Sequence, residues 1–338
     1  MKQQWIHEGL SAPVNVTWEV TNQCNLSCIH CLSGSGRAKE NELTFDQCLG
    51  LIDQLAEHKV FQVNFGGGEP FLRRDFLSIL DACHQKGLVT CISTNGTLLE
   101  DDVLEFFKGR RMLYLQVSLD GGTATTNDPI RGSGTFKRII RNIDRLSGRG
   151  IPFSINMVLT KLNFPEISSL YSLAEDYGAK LRISRFRPSG RGKNSWGSLR
   201  LEKQDLKAFS QWLSDHQDVV TGDSFFSLED EERKGLGLNL CGAAKFTCCI
   251  DPEGGVYPCA FLQDSFFYGG NFLNRSLGDI WLHAQGFKLL RNLKVRSCES
   301  CFRFESCHGG CPAVAYFTGN TLNIPDPECL VHCIQPVQ

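Results

Sequence analysis

The sequence predicts an α/β protein: an open, partial, TIM-like barrel of six β/α units followed by a small cysteine-rich domain. Three observations carry this reading. From about residue 14 to 187, short runs rich in β-branched and aromatic residues alternate with helix-period segments. That stretch of about 175 residues is shorter than the roughly 250 of a closed eight-unit barrel. Beyond it, strand signals are short, turn residues are frequent and cysteines crowd together.

The expected strands are VNVTWEV (14–20), FQVNFG (61–66), LVTCIS (88–93), LYLQVSL (113–119), PFSINMVLT (152–160) and KLRISRF (180–186). Helices are expected at about 44–57, 74–86, 100–108, 134–149 and 165–177. The first has a clear start: Thr44 with Gln47 three residues on forms a capping box, and Leu49, Leu51, Ile52 and Leu55 share one broad apolar face. Strands alternating with helices argue for a parallel sheet with helical crossovers, whose ligands gather at the carboxyl ends of the strands. A further helix is expected at about 203–218, and DPEGGVYPC (251–259) reads as a hairpin. The expected domains are the partial barrel (1–200), a helical bridge (201–237) and the cysteine-rich domain (238–338). There is no sequence repeat or low-complexity tract.

Composition narrows the class. The chain has 338 residues, 41% hydrophobic and 21% charged, with a formal net charge of −2. A packed core is expected, and bulk charge gives no reason for nucleic-acid or membrane-surface binding. The basic stretch RISRFRPSGRGK (Arg182–Lys193) fits a solvated face or a loop binding one anion. The opening MKQQWIHEGL has no apolar core of an export signal, and no apolar run is long enough to span a membrane, so a cytoplasmic protein is expected.

The 16 cysteines are the outstanding feature. In a large chain without an export signal they favour metal binding over disulfides. They fall into groups at 24–31, 241–259 and 298–333. Cys48, Cys83 and Cys91 stand apart and are expected to pack as small buried hydrophobes.

Cys24, Cys28 and Cys31 lie just after the first strand, at the barrel's expected ligand-binding mouth. Three thiolates can hold three irons of a 4Fe-4S cluster and leave the fourth iron an exchangeable position. Three ligands of a zinc site completed from elsewhere is the competing reading. GGGEP (Gly66–Pro70), STNG (Ser93–Gly96) and SLDG (Ser118–Gly121) each close a strand, and NDPIRG (Asn127–Gly132) follows. Each is weak by itself and could be an ordinary turn.

In this order, the motifs resemble the radical S-adenosyl-L-methionine (SAM) enzymes. The resemblance implies that the open iron chelates the amino and carboxylate groups of SAM, and that one electron cleaves it to methionine and a hydrogen-abstracting 5′-deoxyadenosyl radical. It implies SAM-binding roles for His30 near adenine, for Gly67, Gly68 and Glu69 around the amino group, and for Asn95, Ser118 and Asp120 at the ribose and methionyl parts. Arg131 would serve the SAM carboxylate or hold its loop.

The C-terminal spacing is Cys241, Gly254, Cys259, then Cys298-x2-Cys301-x5-Cys307-x3-Cys311, then Cys329. It resembles the SPASM extension of peptide-modifying radical SAM enzymes, which holds two auxiliary 4Fe-4S clusters. The resemblance implies Cys241, Cys248, Cys259 and Cys311 at the first and Cys298, Cys301, Cys307 and Cys329 at the second, three clusters in all. Cys249 is the alternative to Cys248, and Cys333 has no assigned role. A pair of structural zinc sites would use the same eight thiols.

WEVTNQCNLSCIHCLSGSGR, VNFGGGEP, LRISRFRPSGRG, TGDSFF, LNLCGA and PDPEC together resemble one SPASM branch, the mycofactocin maturases. That implies oxidative decarboxylation of the C-terminal tyrosine of a short precursor peptide, then a carbon–carbon bond to the preceding valine. Arg182, Arg185, Arg187 and Arg191 are candidates for the peptide carboxylate. With the first strand beginning near residue 14, leader binding is expected to need a separate protein, and an external one-electron reductant is required. Ala260 stands where sulfatase-maturing relatives carry an aspartate base, which disfavours serine or cysteine oxidation. The alternatives are a SPASM maturase forming thioether or side-chain carbon crosslinks, and a zinc- or cluster-bearing binding module without SAM cleavage.

Overall fold

The structure is a computed structural model that describes residues 10–221, 225 and 241–331. Cys333, most of TGDSFF and the end of the expected bridge lie outside the described residues. Six parallel strands run in sequence order: β1 (Asn15–Thr21), β2 (Gln62–Gly67), β3 (Val89–Thr94), β4 (Leu113–Ser118), β5 (Phe153–Leu159) and β6 (Lys180–Arg185). The crossovers carry helices α1 (Phe45–Glu57), α2 (Phe76–Gln85), α3 (Asp101–Phe107), α4 (Ala124–Arg131), α5 (Thr135–Gly148) and α6 (Ile167–Asp176). Helices α7 (Gly192–Leu199) and α8 (Lys203–Asp215) follow.

Local chemistry explains these elements. The Thr44 hydroxyl accepts from the Gln47 N–H and the Gln47 side chain accepts from the Thr44 N–H, so α1 starts on the expected capping box. Its buried face is Cys48, Leu51, Ile52 and Leu55; Leu49 is only partly covered. Along β1, Val16, Trp18 and Val20 are buried against the helices, and Thr17 and Glu19 point to the other face. Trp18, Phe65 and Phe76 pack in succession with ring centroids 5.3 Å apart, the first pair tilted and the second edge to face.

Two helices escape the sequence reading. NDPIRG belongs to α4 rather than to a loop, and the residues after RPSGR form α7. Pro129 in the former and two glycines in the latter mask their helical period.

The last third is more helical than its turn-rich sequence suggests. It holds α9 (Leu277–His283), α10 (Gln285–Arg291), α11 (Phe304–Cys307) and α12 (Pro312–Gly319), all short. The expected hairpin is present as β7 (Thr247–Ile250) and β8 (Gly255–Tyr257), joined by β9 (Gly270–Asn271). The hairpin is continuous with the barrel: β7 pairs in parallel with β1, so one nine-stranded sheet runs β6-β5-β4-β3-β2-β1-β7-β8-β9. Backbone pairing thus fixes the cysteine-rich region to the strand that leads into Cys24.

Cys48 and Cys83 are fully buried, as a small apolar residue would be, and Cys91 is half-buried on the opposite face of β3. Among the described residues no helix is long and apolar enough to cross a membrane.

Candidate active site

The carboxyl ends of the six strands converge on the loop carrying Cys24, Cys28 and Cys31. GGGEP is zipped to the approach to Cys24: Gly68 N–H donates to Thr21 O and Glu69 N–H to Gln23 O, both at 2.8 Å. A Cβ on Gly68 would stand 2.0 Å from Gln23 O, and Gly67 takes φ +95° with its Cβ position 2.6 Å from Thr21 O. Only glycine permits this approach.

Glu69 is wholly buried. Its carboxylate accepts from the Thr94 hydroxyl and the Asn95 N–H, both at 2.7 Å, which locks the end of β2 to the end of β3. Burial pushes its pKa up to about 7 against those hydrogen bonds. Asn95 in turn donates to Asn25 Oδ1 at 2.8 Å, with the Cys24 sulfur 4.0 Å away.

Asp120 is the hub of the opposite wall. Its Oδ2 lies 2.9 Å from His30 Nε2 and 2.7 Å from Arg131 Nε, and its Oδ1 accepts from Val158 N–H at 2.8 Å. Burial would raise its pKa, but Arg131 and then His30 hold it down at about 2. Arg131 also faces the thiols. Burial pushes Cys28 up to about 11, and the Arg131 charge pulls against that rise. Ser118 closes β4, half-buried.

These residues suit a cluster with SAM beside it. Three thiols share one loop, and His30 Nδ1 is buried with no hydrogen-bond partner among the described residues. Burial raises the Cys24 and Cys28 thiols, so metal binding there would release protons. Among the described residues no three His, Cys, Asp or Glu side chains converge tightly enough to hold a single metal ion. A cluster spreads its ligands over separate irons.

The four cysteines expected at the second auxiliary cluster, Cys298, Cys301, Cys307 and Cys329, line one small pocket. Around the hairpin, Ala244 N–H donates to Pro258 O at 3.0 Å, which sets the turn after Cys241 beside Cys259. Cys248 and Cys249 face opposite sides of β7. Cys248 pairs with Val16 and is buried in the apolar core. Cys249 is equally buried but pairs with Thr17 and shares a face with Glu19; burial raises its thiol, and the charges of Glu19 and Cys259 add to that rise. Gln263 Nε2 donates to Glu19 at 2.8 Å and lies 3.7 Å from the Cys249 sulfur.

The four arginines divide. Arg185 is buried against Asp326 and Glu328. Arg187 is buried with its guanidinium 4.1 Å over the Phe261 ring. Arg191 donates to Cys28 O and Ser35 O. Arg182 alternates with buried Leu181 and Ile183, lies on the face opposite that core, and has no anion partner among the described residues. Sequence reasoning missed Glu19 and Asp326, although Asp326 sits in the PDPEC stretch; neither has a local spacing signal.

The sequence profile of the radical SAM superfamily matches residues 18–174, and that of the SPASM iron–sulfur cluster-binding domain matches residues 241–308. The chain is 41% identical over 328 residues to mycofactocin maturase MftC of Mycolicibacterium smegmatis, covering 95% of this chain and 84% of that protein. The chain belongs to the radical SAM superfamily, among the mycofactocin maturases. It is 30% identical to the AdoMet-dependent heme synthase of Methanosarcina barkeri, covering 95% and 97% of the two chains. In fold it is similar to Streptococcus suis SuiB bound to precursor peptide SuiA, with a TM-score of 0.80 at 20% identity, covering 96% of this chain and 77% of that one. This is a radical SAM enzyme with an iron–sulfur-binding SPASM extension.

Proposed function

We propose that the chain oxidatively decarboxylates the C-terminal tyrosine of a short ribosomally made precursor peptide and then joins that residue to the preceding valine. The observation that carries this reading is the 41% identity to a mycofactocin maturase over 95% of the chain. When bound, the open-site cluster and SAM supply a 5′-deoxyadenosyl radical able to take a hydrogen atom from the tyrosine Cβ. Loss of that hydrogen, of CO2 and of one further electron leaves an unsaturated tyramine-like end. An auxiliary cluster is a suitable acceptor for the electron.

Cys24, Cys28 and Cys31 hold the open-site cluster. His30, Gly67, Gly68, Asn95 and Ser118 border SAM, while Glu69, Asp120 and Arg131 fix the surrounding loops. Cys298, Cys301, Cys307 and Cys329 hold one auxiliary cluster. Cys241, Cys249, Cys259 and Cys311 hold the other, with Cys249 in place of Cys248 because strand alternation turns Cys248 into the core. Arg182 receives the peptide carboxylate, since the other three arginines already have partners. A separate leader-binding protein and an external one-electron donor complete the system.

The test is anaerobic reconstitution with iron and sulfide, then incubation with SAM, reductant and a precursor ending in Val-Tyr. The expected result is about twelve irons per chain, 5′-deoxyadenosine, and a peptide lighter by the mass of formic acid (CO2 plus two hydrogens). SAM cleavage with a peptide mass change of another kind would reject the decarboxylation. Bound zinc without SAM cleavage would reject the enzyme reading.

A further inference from the structure

In sheet order β1 and β6 are separated by the four strands between them, yet the loops that leave them meet. Arg191, after β6, makes three hydrogen bonds to the loop after β1. Its N–H donates to Cys31 O at 3.0 Å, its Nε to Cys28 O at 3.0 Å, and a terminal guanidinium nitrogen to Ser35 O at 2.6 Å. Ser195 Oγ adds a bond to Ile29 O at 3.1 Å. The approach is close: a Cβ on Gly190 would stand 2.3 Å from Leu32 O, at a residue whose φ is +52°.

The thiol-bearing loop belongs to no helix or strand; within it Cys28 O and Cys31 O accept only long bonds, from Cys31 N–H at 3.3 Å and Gly34 N–H at 3.4 Å, so shorter bonds must come from another segment. Three carbonyls scattered around a bend are a poor match for lysine. A guanidinium carries five fixed donors and no acceptor, which suits it to reach two carbonyls at once while its own backbone N–H serves a third. Two of these three carbonyls belong to Cys28 and Cys31 themselves.

We propose that Arg191 is a positioning residue that holds the Cys24–Cys31 loop in its ligating shape, by clasping its backbone across the open side of the barrel. This rests on the assignment of those three thiols to the open-site cluster. RPSGRG thereby acquires a role other than contact with the peptide carboxylate. Arg191 bonds backbone carbonyls and not the thiols, so it acts through the peptide groups between the ligands, as partners behind metal ligands commonly do.

The test compares reconstituted wild type with Arg191→Gln and Arg191→Lys by iron content, by SAM affinity and by the change that SAM induces in the electron paramagnetic resonance signal of the reduced open-site cluster. Arg191→Gln should lose the SAM-induced signal and about four irons, with the auxiliary signals and the melting temperature close to wild type. Arg191→Lys should bind SAM about tenfold more weakly, in the range found for such supporting partners. Wild-type SAM affinity and signal in Arg191→Gln would overturn the proposal. Should Arg191→Gln fail to fold, unchanged SAM affinity in Arg191→Lys would overturn it equally. Wild type without a SAM-responsive cluster would instead reject the underlying assignment.

Discussion

Arg185 at the end of β6 and Asp326 in the segment before Cys329 face each other as a fork on a fork, with nitrogen–oxygen distances of 2.5 and 2.6 Å and both side chains 6% exposed. Glu328 accepts from Arg185 Nε in the same buried site. The pair ties the barrel to the C-terminal cysteine segment, since Asp326 Oδ2 also accepts from Cys311 N–H at 3.0 Å and its backbone carbonyl from Cys329 N–H at 2.9 Å. Arg185→Ala leaves two buried carboxylates without their cation. Removing one partner of such a pair costs about 3–5 kcal/mol. Denaturation followed by fluorescence should show that loss, together with weaker retention of auxiliary iron. A midpoint within error of wild type would contradict it.

Strand alternation makes opposite predictions for two adjacent thiols. Cys249→Ala should lose about four irons per chain after reconstitution. Cys248→Ala should keep full iron content, because its side chain packs beside Val16 in the core. Iron analysis of the two variants side by side decides between them, and the reverse pattern would restore Cys248 as the ligand.

Glu19 predicts a pH dependence. It is buried, accepts from Ser33 Oγ at 2.5 Å and from Gln263 Nε2 at 2.8 Å, and burial still pushes its pKa from 4.5 up to about 7. The folded chain holds this proton where the unfolded chain has released it. Its stabilising contribution is therefore complete below pH 4.5 and is lost as pH rises through about 7. Glu19→Gln should flatten stability across that window and gain, relative to wild type, on the order of 3 kcal/mol at pH 8. Denaturation midpoints from pH 5 to 8 check this; parallel curves for the two proteins would refute it.

Gly68→Ala should abolish SAM binding. Its added methyl would stand 2.0 Å from Gln23 O, so the residue before Cys24 must move. Gly50→Ala, inside α1 with open space around its Cβ, is the matched control and should be neutral or slightly stabilising. Equilibrium dialysis with labelled SAM separates the two, and wild-type binding by Gly68→Ala would refute a role for the close Gly68–Gln23 approach in SAM binding.

Much of this protein was legible locally. The six barrel strands lie within one or two residues of the apolar runs that predict them, because a parallel strand buried on one face must carry Val, Ile and Phe wherever it sits. The Thr44–Gln47 box marked the start of α1 for a similarly local reason. Helices α4 and α7 were hidden because Pro129, Gly192 and Gly197 weaken the local signal, and tertiary contacts supply what propensity lacks.

The sequence by itself determined where the thiols cluster along the chain and in what order the glycine-rich turns close the strands, since both are matters of chain spacing alone. Tertiary structure decided what the charged residues do. Arg185 and Asp326 are 141 residues apart in the chain, Arg191 and Cys28 163 apart, and Glu19 and Gln263 244 apart. No local pattern encodes such pairs. They arise because a curved sheet brings its strand ends together, and because a buried charge must find a partner wherever the fold offers one.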